Sequence, residues 1–227
     1  MSGFKAEMVL ACYLVVRHRA PQIAAAVALS IGFLIAVARP AGGATACRLL
    51  LLAVGVLGAV AASRPLAGGA ALATARRAVT APWIVVAGRF AGVSLLMACV
   101  AVVVAAGVML QAGAAAGMRA LVAGMHFGLA TVAIGLGLAP RTGASVAAAL
   151  GVAVACSALA TGTPFHVTGG GPIGTASLAV WHVLPLPWRG AAWFDAGGVG
   201  HLGVLIAWVV GGLWLAAAAV RARARSS

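Results

Sequence analysis

Site chemistry needs groups that ionise, ligate or attack, and this chain holds few of them. Its carboxylates are Glu7 and Asp195 alone, and its one lysine is Lys5. A phosphate-binding loop of the ATPase kind needs Gly-Lys-Ser/Thr, which Lys5 does not provide, so any ATP used with this chain is expected to bind a partner. Gly169-Gly170-Gly171-Pro172-Ile173-Gly174 fits G-x-G-x-x-G in letters. It follows no strand and carries proline in the turn, so it reads as an outer loop. A hydrolytic site needs a nucleophile, a base and a group that orients the base. Two carboxylates and no G-x-S-x-G elbow give no such set, and no catalytic residue is assigned.

The histidines are His18, His126, His166, His182 and His201. Haem in a bundle needs histidines at matched depth on facing helices. Of the five, His126 falls clearly inside an apolar run, where His182 and His201 could approach from one side. Interfacial or packing histidines are the plainer reading, so no metal or cofactor is assigned. Cys12, Cys47, Cys99 and Cys156 lie far apart and form no CxxC pair, which suits small apolar fillers rather than zinc ligands or a disulfide framework. Arg89 is the charge set well inside an apolar run. It is expected to extend toward the cytoplasmic face, its stem in apolar surroundings and its head in water.

The elements that must position these residues are set by composition. Hydrophobic residues make up 64% of the 227 and charged residues 7%, against roughly 45–50% and 25% in soluble domains. A soluble fold cannot hide that much apolar surface, so an all-α integral membrane protein is expected. The net charge of +13 does not point to nucleic acid, because the arginines sit singly or in pairs at the ends of apolar runs. Charges placed there anchor and orient spans.

Six spans are expected, at about 21–38, 47–63, 84–111, 119–139, 143–160 and 201–220. The run at 84–111 is too long to cross upright, so it tilts or begins as an interfacial helix. Residues 1–20 alternate apolar and charged positions and read as a separate cytoplasmic amphipathic helix, with 21–227 as one transmembrane domain. The run ending at Ala38 resembles a signal-peptidase site, but its long charged approach favours a retained first span. Residues 172–188, ending in Pro185 and Pro187, suggest a short outer helix or re-entrant hairpin, with Trp181, Trp188 and Trp193 at headgroup level. With the N-terminus inside, Lys5, Arg17, Arg19, Arg64, Arg76, Arg77, Arg141, Arg221, Arg223 and Arg225 face the cytoplasm. Only Arg39, Arg48, Arg119 and Arg189 face out. Six spans with both termini cytoplasmic satisfy the positive-inside rule.

This layout resembles the membrane-spanning permease subunit of type-2 ABC exporters, including haem-exporter-like permeases. The resemblance is architectural over nearly the whole chain. It comprises an amphipathic N-terminal segment, two spans, a basic connector, three spans, an outer helical insertion, and a last span with a basic tail. Locally, Thr74 through Gly92 is similar to the family's passage from connector through proline into a glycine-and-basic span start. Leu184 through Arg221 resembles its outer insertion and final span.

The resemblance implies a connector at about 64–82 that docks on a separate ABC-type ATPase. Arg64, Arg76 and Arg77 would make contact there, and Arg89 would be the basic residue at the span start. The family's usual acidic residue in this connector is missing here. It further implies a second permease subunit, identical or different, in the inner membrane. The scarcity of intramembrane charge suggests a lipid-like or amphipathic substrate. The alternative is a non-transporting subunit that scaffolds or anchors a larger complex.

Overall fold

The structure, a computed structural model, describes residues 3–38, 43–67, 82–156 and 199–225. These form seven α-helices: α1 (Gly3–Arg17), α2 (Arg19–Ala38), α3 (Gly43–Ala62), α4 (Pro82–Ala112), α5 (Ala114–Thr142), α6 (Ala144–Cys156) and α7 (Val199–Arg225). No strand occurs among the described residues. Each apolar run read from the sequence is helical over its described part, apart from the end residues Ser63 and Gly143. Arg76 and Arg77, the outer insertion at 172–188 and its tryptophans, and His166 and His182 lie outside the described residues.

Among the described residues, four helices are long and apolar enough to cross a membrane: Arg19–Val37, Pro82–Ala112, Ala114–Thr142 and Gly203–Ala222. Two shorter apolar helices, Arg48–Ala62 and Ala144–Cys156, accompany them. At 1.5 Å per residue, the 31 residues of α4 reach about 46 Å, well beyond a hydrocarbon layer of roughly 30 Å. Large apolar side chains point outward on several helices, among them Phe33 and Leu34 on α2, Val102 and Leu110 on α4, and Val210 and Trp214 on α7. Such a surface is unfavourable in water and suits lipid. Over its described residues the chain is an all-helical membrane protein.

The bundle is built around α5, which packs against α3, α4, α6 and α7. Lipid offers no hydrophobic drive between helices, so close backbone approach and van der Waals contact must hold them. Glycines supply that approach. A Cβ on Gly212 of α7 would lie 2.5 Å from the Ala133 carbonyl oxygen of α5, and one on Gly137 of α5 would lie 2.8 Å from that of Gly212. On α3, a Cβ on Gly58 would lie 2.7 Å from the Thr131 hydroxyl of α5. The main core joins Leu50, Val54, Val93, Met97, Val104, Val132 and Leu136. A smaller cluster of Leu51, Ala123, Phe127 and Ala155 fills the space between α3, α5 and α6.

Single glycines join α4 to α5 and α5 to α6. Gly113 has φ 89 and ψ 164, and Gly143 has φ 86 and ψ 164, a backbone region open essentially to glycine alone. Each amide still caps the preceding helix, Gly113 donating to Met109 at 3.0 Å and Gly143 to Ala139 at 3.0 Å. The chain can therefore reverse sharply without an intervening loop.

Candidate functional site

The charge buried in α4 is where the bundle departs from a purely apolar design. Arg89 is completely buried, as are its helix neighbours Val85, Val86 and Val93. It does not extend into water as its place in the sequence suggests. The reason is that α1 covers it. Gly88 and Gly92, one turn apart, let the α1 backbone come against α4. A Cβ on Gly88 would lie 2.7 Å from the Cβ of Glu7, and one on Gly92 would lie 2.5 Å from the carbonyl oxygen of Met8. Glu7, Ala11 and Val15, four residues apart, form the buried stripe of α1, as expected of one face of a 3.6-residue helix.

At this contact the Nε of Arg89 donates to Oε2 of Glu7 at 2.9 Å. The two residues are separated by 82 positions. The Nη1 of the same guanidinium donates to the carbonyl oxygen of Pro65. A guanidinium presents its donors in a rigid planar fork, so it can serve a carboxylate and a carbonyl in two directions at once. Beside the pair, the Cys12 thiol faces the Gly92 carbonyl oxygen at 3.5 Å, and burial pushes its pKa up from the ordinary thiol value.

Pro65 lies where the chain leaves α3. Ser63 closes the helix, its amide donating to Ala59 at 3.2 Å and its hydroxyl to Val60 at 2.8 Å. A turn follows, with the Ala67 amide donating to the Arg64 carbonyl at 3.3 Å. Pro65 and Leu66 are buried, Leu66 within the main core. This turn is the root of the basic connector. Of the connector arginines, Arg64 is half-buried in it.

The arrangement is mechanical in what it can do. One guanidinium fixes α1, α4 and the connector root to one another. Removing a single partner of a buried ion pair leaves an uncompensated charge, at a cost of about 3–5 kcal/mol.

The other polar groups are dispersed. His126 is half-buried on α5, its Nδ1 2.9 Å from the Val122 carbonyl oxygen one turn back. His201 belongs to α7. Among the described residues no group of three or more His, Cys, Asp or Glu side chains could hold a metal ion. Arg141, at the end of α5, donates to the carbonyl oxygens of Gly137 at 3.1 Å and Leu215 at 2.7 Å. At the other end of α4, Gln111 donates to the Ala36 carbonyl of α2.

Sequence reasoning singled out Arg89 and missed Glu7 as its partner, placing that carboxylate on a separate amphipathic segment. The available signal was a scarce carboxylate together with two glycines flanking a buried arginine.

The fold and this contact define a multi-pass helical membrane protein with an N-terminal helix locked onto a long apolar helix. In comparison with known proteins, no family model matches the chain and no curated protein is similar to it.

Proposed function

We propose that this chain is the membrane-spanning permease subunit of an ATP-driven exporter of the type-2 ABC kind, with ATP hydrolysed by a separate partner subunit. In this reading α3 and α6 complete six spans, the inner membrane holds the protein, and both termini are cytoplasmic. The last span is α7, with Arg221, Arg223 and Arg225 at its cytoplasmic end.

The observation that carries the reading is the clamp on the connector root. A subunit that turns a partner's work into helix motion needs a cytoplasmic segment joined firmly to its spans. Pro65 is held by Arg89 of α4, and Leu66 sits in the core. A push on the connector, with Arg64, Arg76 and Arg77 as its charged contacts, would reach α4 and α1 directly. ATP can drive the motion only by binding one state of the assembly better than the other. Substrate would pass between this subunit and a second permease subunit. The scarcity of charge along the spans favours a lipid-like or amphipathic substrate.

The test is affinity purification of the full chain from its native membrane in mild detergent, with mass spectrometry of what accompanies it. A stoichiometric ABC-type ATPase is the expected result. Recovery of the chain with only non-ATPase membrane partners would favour a scaffold or anchor subunit instead. With the ATPase in hand, alanine at Arg76 and Arg77 should lower coupled ATPase activity.

A further inference from the structure

A buried ion pair is an uneconomical way to join two helices. Apolar side chains of the same volume are often as good or better, because the charges lose hydration. Ionisable groups kept among membrane spans therefore call for a role beyond adhesion. Here the second hydrogen bond of Arg89 suggests one. Its Nε holds Glu7 of α1 while its Nη1 holds the carbonyl of Pro65. An apolar replacement could glue α1 to α4, but it could not hold that carbonyl. The proline ring fixes φ of Pro65 and Leu66 is anchored in the core, but neither fixes the Pro65 ψ that aims the carbonyl, and that torsion is left for the guanidinium to set.

We propose that Glu7 and Arg89 are positioning residues for the connector root. Glu7 orients the guanidinium, and the guanidinium sets the course on which the chain leaves α3, so that α1, α4 and residues 63–67 move as one body. The role of this unit in coupling rests on the permease reading. The linkage itself does not, because it follows from one side chain holding two others.

The linkage separates the two halves of the guanidinium's work, and a charge swap tells them apart. In the double variant Glu7→Arg/Arg89→Glu, the ion pair can re-form with reversed sign. A carboxylate at position 89, however, cannot donate to the Pro65 carbonyl. Hydrogen–deuterium exchange of the full chain in lipid nanodiscs reads both consequences. The single variants Glu7→Gln and Arg89→Glu should speed exchange in α1 and, within 63–67, at the Ser63 and Ala67 amides, which donate to Ala59 and Arg64. The swap should return α1 to wild-type protection while 63–67 still exchanges about tenfold faster, the loss expected for one charge-assisted hydrogen bond. Recovery of both segments in the swap, or single variants with unchanged exchange at 63–67, would overturn the proposal.

Arg89→Lys gives an independent reading should the swap fail to fold. It keeps the charge facing Glu7 but replaces the fork with a point donor. Protection of α1 with loss at 63–67 is expected, and protection of both would again overturn the proposal. If the native chain brings down no ATPase, the permease reading fails while the exchange pattern still decides the linkage. If it does, the swap should retain the bound ATPase and lose substrate stimulation.

Discussion

Arg89 and Arg141 make formally similar contacts. Each sends a guanidinium across to a main-chain carbonyl of another segment, Arg89 to Pro65 and Arg141 to Leu215. Both helix pairs are also brought close by glycines, Gly88 and Gly92 in one case and Gly137 and Gly212 in the other. The surroundings differ. Arg89 is fully buried and shares its charge with Glu7, whereas Arg141 is exposed at a helix end. At the α5–α7 contact close backbone packing stands beside an exposed arginine at the helix end. At the α1–α4 contact the arginine adds what packing does not: beside the burial of Leu66 in the main core, it ties the Glu7 carboxylate and the Pro65 carbonyl to α4.

The comparison can be broken most directly at Arg89. Arg89→Ala should lower stability by about 3–5 kcal/mol, since it leaves the Glu7 carboxylate buried beside α4. Thermal unfolding in detergent would read this as a large loss or as failure to accumulate. The double variant Glu7→Leu/Arg89→Met should recover much of that stability, because no isolated charge remains. A double variant as unstable as the single one would show that the charge is not the source of the loss.

The glycines sharpen it further. Gly92→Leu places a side chain where the Met8 carbonyl already lies and should cost about 3 kcal/mol, at the upper end of overpacking effects. Gly113→Ala has open space around it, so only the backbone torsion objects, and about 1–2 kcal/mol is expected. The two can be separated by exchange protection of α1, which should fall for Gly92→Leu and hold for Gly113→Ala. The smallest effect belongs to Arg141→Ala, which loses hydrogen bonds from an exposed side chain to main-chain carbonyls, at about 0.5–1.5 kcal/mol in the same unfolding measurement. A loss at Arg141 as large as at Arg89 would end the distinction between the two contacts.

Much of the helical layout was legible because it is local. The apolar runs coincide to within a few residues with α2 to α7. Arg89 was legible as an outlying charge, because it stands out in an apolar stretch. Its surroundings were not. Placing the guanidinium in water required α1 to stand apart, and no periodicity within residues 1–20 says which helix will cover Gly88 and Gly92. The packing role of α1 is weakly marked, since its buried stripe includes a glutamate and leaves Val9, Tyr13 and Val16 exposed.

Composition alone determined that this chain belongs in a membrane and is helical there, because 64% hydrophobic residues cannot be buried in a water-soluble fold of this size and backbone groups in lipid must be satisfied within each helix. Tertiary structure decided what its scarce charges do. Glu7, Pro65 and Arg89 come from three separated stretches of chain, and their meeting depends on which helix faces lie together. Hydropathy is a property of each segment by itself. An ion pair depends on two segments and on the glycines that let them approach, and that information appears only when the helices are packed.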